Sequence, residues 1–322
     1  MIRWGILGTG SIAGAFARGV ALSTTGELVA VGSRARESAE AFCLEHGGRA
    51  YASYDSLLAD PEVDVVYISL PHHMHHEWTI RCAEVGKGVL CEKPFTLNSL
   101  EAEEAIAACR KADVFFMEAF MYRCSPQMKL VRKLLAEGAI GEVLQVNAEF
   151  GYATSRAGKH FRVDADLGGG GLMDVGCYCV SLSRMCFGEE PLACHYSAQI
   201  RDGYDASAQG LLTFSGGRSA VLGNGVHCAL TNDVRIYGSG GMIQLNDPWK
   251  SENATVTVNG EAHDVSVTNA ELYMHQADAV AEFFGAKECP YVSIEDTLAQ
   301  MRTLDRLRAS AGITFAQEKR PG

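Results

Sequence analysis

Short apolar runs alternate with amphipathic stretches along the first third of the chain. The apolar runs are typical of buried strands, and the stretches between them repeat apolar positions at helical spacing. The predicted strands are residues 2–7, 28–32, 63–70, 88–91 and 114–117. The predicted helices between them are residues 11–22, 36–46, 74–85 and 99–112. This alternation predicts βαβ units around a parallel sheet that is buried on both faces.

The pattern changes after about residue 122, where strand-like segments outnumber helices. The predicted strands are residues 142–151, 193–200, 208–214, 218–226, 233–237 and 254–258. The predicted helices are residues 127–137, 172–187, 272–284 and 294–311. Such runs of strands predict an α+β domain with an open, mostly antiparallel sheet. We therefore expect an α/β Rossmann domain over residues 1–122 and a second domain over residues 123–322, whose last helix, 294–311, could pack back on the first.

Composition and charge narrow the class of protein. The chain has 322 residues, 47% of them hydrophobic and 21% charged, which fits a globular protein of two domains. Its formal net charge of -11 argues against nucleic acid as a partner, because phosphate binding needs clustered Lys and Arg. The same charge disfavours an anionic membrane surface, and we see no apolar run that approaches the ~20 residues of a membrane span.

The eleven cysteines are an odd number and are scattered along the chain. No CxxC pair occurs, and the single close pair, Cys177 and Cys179, has no partners at zinc spacing. We therefore interpret the cysteines as small buried apolar residues of a cytoplasmic protein in a reducing compartment, and we predict no metal site.

A glycine-rich turn follows the first predicted strand and opens the first predicted helix. It reads Gly8-Thr9-Gly10-Ser11-Ile12-Ala13 and fits the pattern G-x-G-x-x-G/A. The glycines permit a tight turn and let the backbone approach a pyrophosphate at the positive end of a helix. The motif therefore predicts a dinucleotide site at Gly8, Thr9, Gly10, Ser11 and Ile12.

The end of the second predicted strand indicates which dinucleotide binds. In NAD enzymes this strand ends in Asp or Glu, which accepts a hydrogen bond from the ribose 2′-hydroxyl. Here it ends Gly32-Ser33-Arg34, with Arg36 just beyond and no acid. A hydroxyl donor and a planar cation suit a 2′-phosphate, so Ser33 and Arg34 predict NADP(H) as the cofactor.

Two further motifs carry candidate chemistry. Glu92-Lys93-Pro94 follows a core strand, which puts Lys93 at the carboxyl edge of the sheet, where ligands of open α/β sheets bind. A run of four glycines, residues 168–171, precedes a predicted helix that carries Asp174 and Tyr178. These two side chains are four residues apart and should share one face of that helix.

Together these motifs resemble the Gfo/Idh/MocA family of nicotinamide-dependent sugar and polyol oxidoreductases, over nearly the whole chain. The segments CEKPFTLN, MEAFMYR and GGGGLMDVGCY, at residues 91–98, 117–123 and 168–178, are similar to one branch of that family. The branch holds glucose–fructose oxidoreductase, NADP-linked D-xylose dehydrogenase and dimeric dihydrodiol dehydrogenase. Residues 241–245 and 313–315 also look similar to the last of these.

The resemblance implies roles for individual residues. Lys93 would be the catalytic lysine, with a cis bond to Pro94, and Asp174 and Tyr178 match the acidic and acid/base positions of the helix motif. His75 matches the family histidine after the fourth strand. The remaining expected contacts to cofactor are Leu70, Pro71 and Glu92. The expected contacts to substrate are Arg123 and Arg162 together with Phe150 and Tyr152, which could offer a stacking face to a pyranose.

The function implied is an NADP-dependent aldose or polyol dehydrogenase, or the reverse reaction on a ketosugar. Met121 stands where dihydrodiol dehydrogenases tend to carry tryptophan, which weakens the alternative of an aromatic trans-diol substrate. A non-enzymatic regulator that senses NADP or sugar would be expected to lose Lys93 or Tyr178. An enzyme that retains its nicotinamide between two sugars stays open. The resemblance also implies a homodimer through the open sheet of the second domain.

Overall fold

The computed structural model describes residues 1–154 and 160–318. Its strands are β1 (Ile2–Leu7), β2 (Gly26–Gly32), β3 (Arg49–Tyr51), β4 (Val65–Ile68), β5 (Gly88–Cys91), β6 (Phe116–Glu118), β7 (Val143–Gly151), β8 (Ala193–Arg201), β9 (Tyr204–Thr213), β10 (Ser219–Gly225), β11 (Val234–Gly238), β12 (Gly241–Asn246), β13 (Thr255–Val258) and β14 (Glu261–Asp264). Its α-helices are α1 (Ser11–Leu22), α2 (Arg36–His46), α3 (Tyr54–Leu58), α4 (His75–Glu84), α5 (Ser99–Ala112), α6 (Pro126–Ala136), α7 (Cys177–Phe187), α8 (Asn269–Phe283) and α9 (Ile294–Ser310).

The chain folds into two compact units, and each unit is built from several separate segments of the chain. The first unit holds residues Met1–Thr96, Leu100–Ser125 and Thr268–Thr297, and the second holds the rest of the described chain. Apart from the short segment Leu97–Ser99, which belongs to the second unit, the chain leaves the first unit after Ser125, three residues beyond the boundary that the sequence predicts. The chain then returns to the first unit with Thr268–Thr297, a segment that the sequence analysis assigns to the second domain.

Six parallel strands form the sheet of the first unit, in the order β3-β2-β1-β4-β5-β6. Every residue of β4 and β5 is buried, which explains why these strands appear in the sequence as continuous apolar runs. The strand order reverses direction between β1 and β4, so the carboxyl ends of these two strands form the crevice where such sheets bind dinucleotides. The predicted α/β Rossmann domain is confirmed.

Helix α8 is the element that returns to the first unit, where it packs against α1. Gly19 allows the close approach, because a Cβ built there would lie 2.5 Å from Cβ of Tyr273. The hydroxyls of Ser23 and Thr25 both donate to Oδ1 of Asp278 at 2.6 Å. Helix α9 begins in the first unit with Ile294–Thr297 and continues in the second unit from Leu298 onwards, and the packing of helix 294–311 on the first domain stays a prediction.

Eight strands form the sheet of the second unit, in the order β14-β13-β12-β11-β7-β10-β9-β8. Only β7 and β10 pair in parallel, and the other six pairings are antiparallel, so the predicted open, mostly antiparallel sheet is confirmed. Along β7 the buried Val146 and Ala148 alternate with the exposed Gln145 and Asn147. One face of the sheet therefore packs on the core of the unit, and the other is open.

Several short elements connect these strands and helices. They are 3-10 turns at His72–Met74, Met121–Cys124, Phe161–Val163, Ala165–Leu167, Ser215–Gly217 and Phe284–Ala286, and a π-helical turn at Leu172–Gly176. Within residues 1–154 and 160–318, no helix combines the length and the apolar character that crossing a bilayer requires.

Candidate active site

The glycine-rich turn lies at the carboxyl end of β1, as its sequence predicts. Gly8 has a φ of +101°, and a Cβ there would lie 2.9 Å from Oγ of Ser69, which follows β4. Gly10 is the N-cap of α1, and a Cβ built there would meet no described atom within 4 Å. The turn thus leaves the amino end of α1 open to an anion, with Thr9, Ser11 and Ile12 beside it.

The end of β2 places Ser33 and Arg34 at the same edge of the sheet. Ser33 is buried, and its hydroxyl accepts a hydrogen bond from the Ala35 N–H at 3.4 Å. Arg34 is exposed beside Tyr54. Arg34 forms a hydrogen bond with the neutral Tyr54 hydroxyl, whereas Arg36 donates to the carboxylate Oε1 of Glu40 at 2.7 Å. Arg34 is therefore the better placed of the two arginines to receive an anionic group.

Lys93 follows β5 in a segment that buried carboxylates and the backbone hold in place. Its peptide bond to Pro94 is cis, as the resemblance implies. The preceding Glu92 is buried and accepts a hydrogen bond from the Tyr67 hydroxyl at 2.5 Å. One residue after Pro94, the N–H of Phe95 donates to Oε1 of Glu118 at 3.0 Å. The Glu92 carboxylate also accepts a hydrogen bond from the Lys93 N–H at 3.3 Å, so it holds the start of the lysine segment.

His75 joins this segment to the loop that follows β4. Its imidazole is fully buried, with Nε2 2.8 Å from the carbonyl oxygen of Leu70 and Nδ1 3.0 and 3.2 Å from those of Pro94 and Phe95. Whichever nitrogen carries the proton donates to a backbone carbonyl. Burial outweighs these carbonyls and lowers the pKa of His75 to about 4. These contacts join the backbone at Leu70 to the backbone that follows Lys93, and the contact of His75 with the cofactor stays a prediction.

In the second unit, the run of glycines leads into the helix motif. The sequence predicts one helix over residues 172–187, whereas the structure begins it with the π-helical turn Leu172–Gly176 and continues as α7. Asp174 lies in the π-helical turn and Tyr178 in the first turn of α7, and both are buried. Single π-helical turns are often found at functional sites, because they change the direction of the side chains that they carry.

Asp174 forms the centre of a polar cluster. The Tyr152 hydroxyl donates to its Oδ2 at 2.5 Å, and Nε of Arg162 lies 3.4 Å from its Oδ1. The glycine run fixes this geometry, because the Gly170 N–H donates to the Arg162 carbonyl at 3.0 Å and the Asp174 N–H donates to the Gly170 carbonyl at 2.9 Å. Three residues that the sequence predicts for substrate or catalysis are thus brought together.

Tyr152 and Tyr178 differ in their surroundings, and the charge of Asp174 acts on the first of them. Burial and the Asp174 carboxylate raise the pKa of Tyr152 well above its ordinary value, so Tyr152 stays protonated and donates. Tyr178 instead belongs to an aromatic group, with its ring edge-on to Phe150 at 5.2 Å between centroids. Of the two phenols, Tyr178 is the one that remains a candidate for proton transfer.

Trp249 completes the aromatic group, and the sequence analysis missed it. Its ring stacks on Phe150, with 5.5 Å between centroids and 12° between planes, and meets the Tyr178 ring edge-on at 5.8 Å. The indole N–H donates to the carbonyl of Glu149 at 2.8 Å, which fixes the ring. Trp249 lies in the loop after β12, where no local sequence signal connects it to the site.

Arg123, predicted to contact substrate, lies in the first unit and is buried there. Its guanidinium is 3.2 Å from Oδ2 of Asp296, so the structure gives it a carboxylate partner within the same unit. The contact of Arg123 with substrate stays a prediction.

Comparison with known proteins identifies the family. Residues 2–120 match the oxidoreductase family with an NAD-binding Rossmann fold, GFO/IDH/MocA, and residues 128–244 match the GFO/IDH/MocA C-terminal domain. The chain therefore belongs to the Gfo/Idh/MocA family. It is a nicotinamide-dependent oxidoreductase that acts on CH–OH groups, as the motifs predict.

Relatives and solved structures cover nearly the whole chain. It is 35% identical to trans-1,2-dihydrobenzene-1,2-diol dehydrogenase of Xenopus tropicalis, over 97% of this chain and 99% of the relative. It is 32% identical to D-xylose 1-dehydrogenase (NADP(+)) 2 of Haloferax volcanii, over 98% and 99% of the two chains. A 3-ketoreductase from Actinomadura kijaniata, solved with NADP and TDP-benzene, matches with a TM-score of 0.85 and 29% identity, over 96% and 98% of the chains.

Proposed function

We propose that this enzyme uses NADP(H) to transfer a hydride between nicotinamide C4 and the hydroxyl or carbonyl carbon of a sugar or polyol. The observation that carries the proposal is the cluster of the buried Asp174 with the half-buried Tyr152 and Arg162, which lies beside the aromatic group of Tyr178. A carboxylate, a hydroxyl and a guanidinium offer the mixed acceptors and donors that recognise several hydroxyls on one molecule.

The residues at the edge of the first sheet fit NADP. The open amino end of α1 suits the pyrophosphate, and Gly8 and Gly10 leave the space that its approach requires. The exposed Arg34 and the hydroxyl of Ser33 suit the 2′-phosphate, and no acid stands at the end of β2 to repel it. Two relatives support the same cofactor, since one is named for NADP(+) and the ketoreductase was solved with NADP.

The proton transfer is assigned to Tyr178, with Lys93 as the catalytic lysine. In the oxidation direction the Tyr178 phenolate accepts the hydroxyl proton, and the carbon that loses its hydride becomes a carbonyl. The bound nicotinamide supplies the hydride acceptor at C4. A free tyrosine titrates near ~10, so action near neutral pH requires positive charge close to the phenol, and the Arg162 guanidinium of the same unit interacts electrostatically with Tyr178.

Asp174 and Arg162 are assigned to substrate binding. Asp174 already accepts a hydrogen bond from Tyr152, and its Oδ1 faces Arg162 at 3.4 Å, so a sugar hydroxyl that enters between them can donate to the carboxylate. Phe150 is proposed to provide an apolar surface for the C–H face of a pyranose. Together they would hold one hydroxyl carbon in a fixed orientation, which is what hydride transfer requires.

An aromatic trans-diol is a second candidate substrate. The parallel stack of Phe150 and Trp249 favours it, because flat apolar rings pack well on such a pair. The diol dehydrogenase of Xenopus tropicalis, at 35% identity, supports the same class. Met121, in place of the tryptophan that the resemblance leads one to expect, favours the sugar.

The test is nicotinamide absorbance with purified enzyme over a panel of pyranoses, sugar alcohols and aromatic trans-diols. We expect NADP⁺ to be reduced by one sugar or polyol, and NAD⁺ to be used less well. Ser33→Asp should reverse this preference, because the new carboxylate repels the 2′-phosphate and accepts from a 2′-hydroxyl. Arg36→Ala is the matched control and should leave the preference unchanged, since Arg36 is engaged by Glu40. Turnover of trans-diols alone would establish the second candidate.

We also propose a homodimer through the open face of the sheet in the second unit. Leu211 of β9 and Val221 of β10 are cross-strand neighbours on that face and are 38% and 46% exposed. Adjacent exposed aliphatic side chains are what a partner sheet would cover. Sedimentation at micromolar protein should give a dimer, and Leu211→Glu together with Val221→Glu should give a monomer. A wild-type monomer would refute the proposal.

The cytoplasm is the proposed location. All eleven cysteines are free in the structure, and seven of them are buried, among them Cys82, Cys91 and Cys109. Burial raises the pKa of each of these three thiols, so they stay protonated and unreactive. Such a set of thiols suits a reducing compartment. Cell fractionation would test the location directly.

A further inference from the structure

A buried carboxylate lies beneath the glycine run of the second unit and has no role in the function proposed above. Asp205, at the start of β9, is 2% exposed. Its Oδ2 accepts hydrogen bonds from the Leu172 N–H at 2.6 Å, the Tyr196 hydroxyl at 2.6 Å and Nδ2 of Asn224 at 3.5 Å. The Asn224 amide also donates to the Tyr196 oxygen at 2.7 Å, which orients that hydroxyl toward the carboxylate.

The glycines of the motif leave the space that this carboxylate occupies. Gly170 has a φ of +126°, and a side chain there would collide with Oδ1 of Asp205. A Cβ at Gly171 would lie 2.9 Å from Nδ2 of Asn224, and one at Gly176 would lie 2.9 Å from Cγ of the same residue. Three glycines of the signature thus let the turn rest directly on Asp205 and Asn224.

Stability alone does not account for an acid at this position. Burial raises the pKa of Asp205 to about 6, although three hydrogen bonds favour its ionised form. At neutral pH the native protein therefore holds a negative charge against the effect of its own burial. Buried charges of this kind seldom add net stability, because a neutral group of similar shape can take their place.

We propose that Asp205 is a positioning residue that fixes the turn carrying Asp174 and, four residues further, Tyr178. A helix leaves its first N–H groups without partners inside the helix, and a carboxylate there also interacts favourably with the helix dipole. The Asp205 carboxylate takes the Leu172 N–H, two residues before Asp174. The turn then has one favoured position, with Asp174 directed at Tyr152 and Arg162.

The charge state of Asp205 should therefore control the site. Its oxygens face Tyr196 from β8 and Asn224 from β10, together with the backbone of the glycine run, and Cys179 of α7 interacts electrostatically with Tyr196. Burial holds the pKa of Tyr196 and of Cys179 well above its usual range. Asp205 is thus the group in this set that changes charge between pH 5 and 7.

The first test is independent of catalysis and measures hydrogen exchange in the full-length protein at pH 8. Asp205→Asn keeps the shape of the side chain and removes its charge. We expect the amides of residues 172–178 to exchange roughly tenfold faster, because the turn opens more often. Glu189→Gln is the matched control, since Glu189 accepts from Ser215 and Arg218 in the same unit and should leave these amides unchanged. Unchanged exchange in Asp205→Asn would overturn the proposal.

The second test rests on the proposed function and measures kcat against pH. Loss of the fixed turn should lower kcat roughly 10- to 100-fold, with KM for NADP⁺ unchanged. The wild type should lose activity below a pKa near 6, and Asp205→Asn should lack that acid limb. Tyr196→Phe removes one donor to the carboxylate, which raises the pKa of Asp205, so its acid limb should move to higher pH.

The two tests separate the two proposals. An acid limb that stays in place in both variants would overturn the role of Asp205, as would the exchange result above. If Asp205→Asn does not fold, Tyr196→Phe decides both measurements on its own. If the wild type reduces NADP⁺ with no sugar, polyol or diol, the proposed function fails, while the exchange experiment still tests the positioning of the turn.

Discussion

The two segments that carry the proposed catalytic residues are held by buried ionisable side chains of opposite character. In the first unit, the imidazole of His75 lies between the Leu70 carbonyl and the carbonyls of Pro94 and Phe95, and its single N–H donates on one of these two sides. In the second unit, the carboxylate of Asp205 accepts hydrogen bonds from the Tyr196 hydroxyl and from the Leu172 N–H, two residues before Asp174. The difference follows from the backbone, because the loops after strands β4 and β5 present carbonyls, whereas the beginning of a helix presents N–H groups.

Burial acts on both groups and gives opposite results at neutral pH. It lowers the pKa of His75 to about 4, so the imidazole is neutral and stabilises the fold in its resting form. It raises the pKa of Asp205 to about 6, so the carboxylate is ionised in spite of its burial. The neutral His75 imidazole therefore holds the first segment without burying a charge. The ionised Asp205 carboxylate fixes the geometry of the second segment, but its buried charge lowers the free energy of unfolding.

The largest effect should come from the tyrosine that the second segment presents. Tyr178→Phe removes the proposed acid/base group and should lower kcat/KM about 10³-fold, with NADPH binding unchanged. Tyr152→Phe removes a donor to Asp174 and should cost about tenfold, since it affects only the orientation of that carboxylate. Steady-state kinetics with the substrate found in the panel would measure both. Equal losses in the two variants would contradict the separate roles given to the two phenols.

The next largest effect should come from the histidine of the first segment. His75→Ala removes the donor to backbone carbonyls and leaves a cavity, so the free energy of unfolding should fall by about 2–4 kcal/mol. His76→Ala is the control, because the neighbouring His76 pairs with Glu104 at the surface and should contribute less than about 1 kcal/mol. Urea unfolding measures both changes. A loss in His75→Ala no larger than in the control would show that the loops do not depend on this imidazole.

The sequence predicts where several strands and helices of the first unit begin and end, because the signals that set these bounds are local. The bounds of β1, α1, α2, β5 and α5 agree with prediction, since a glycine or polar residue stands at or next to at least one end of each element. Helix α8 shows the limit of such signals. An amphipathic helix has the same pattern whichever core it packs on, so nothing in residues 272–284 indicates that the helix belongs to the first unit.

Asp205 shows why part of the site escapes prediction. The predicted strand begins at residue 208, since Tyr204-Asp205-Ala206 reads as a polar approach to it. The structure extends β9 back to Tyr204, and the register with β8 shifts between Gln199 and Ile200, which pairs Ile200 with Asp205. Such an irregularity depends on the partner strand and leaves no mark in the local pattern.

The comparison between the two held segments makes a last prediction about acid stability. An imidazole whose native pKa is lowered contributes stability above pH 6.5 that is lost as the pH falls toward 4. A carboxylate whose native pKa is raised does the reverse, and its contribution is lost as the pH rises through 6. Between pH 4 and 6 the two groups therefore act in opposite directions, each by about 1.4 kcal/mol per pH unit, and partly cancel in the wild type.

Substituting either group should reveal the effect of the other on how stability changes with pH. Between pH 7.5 and pH 4, Asp205→Asn should lose about 2–3 kcal/mol relative to the wild type, because it lacks the group that gains stability in acid. His75→Gln should gain a similar amount relative to the wild type over the same range, because it has no imidazole to protonate on unfolding. Urea unfolding at pH 4, 5.5 and 7.5 measures both differences. If both variants differ from the wild type in the same direction, the proposed contrast between a neutral His75 and an ionised Asp205 at neutral pH is wrong.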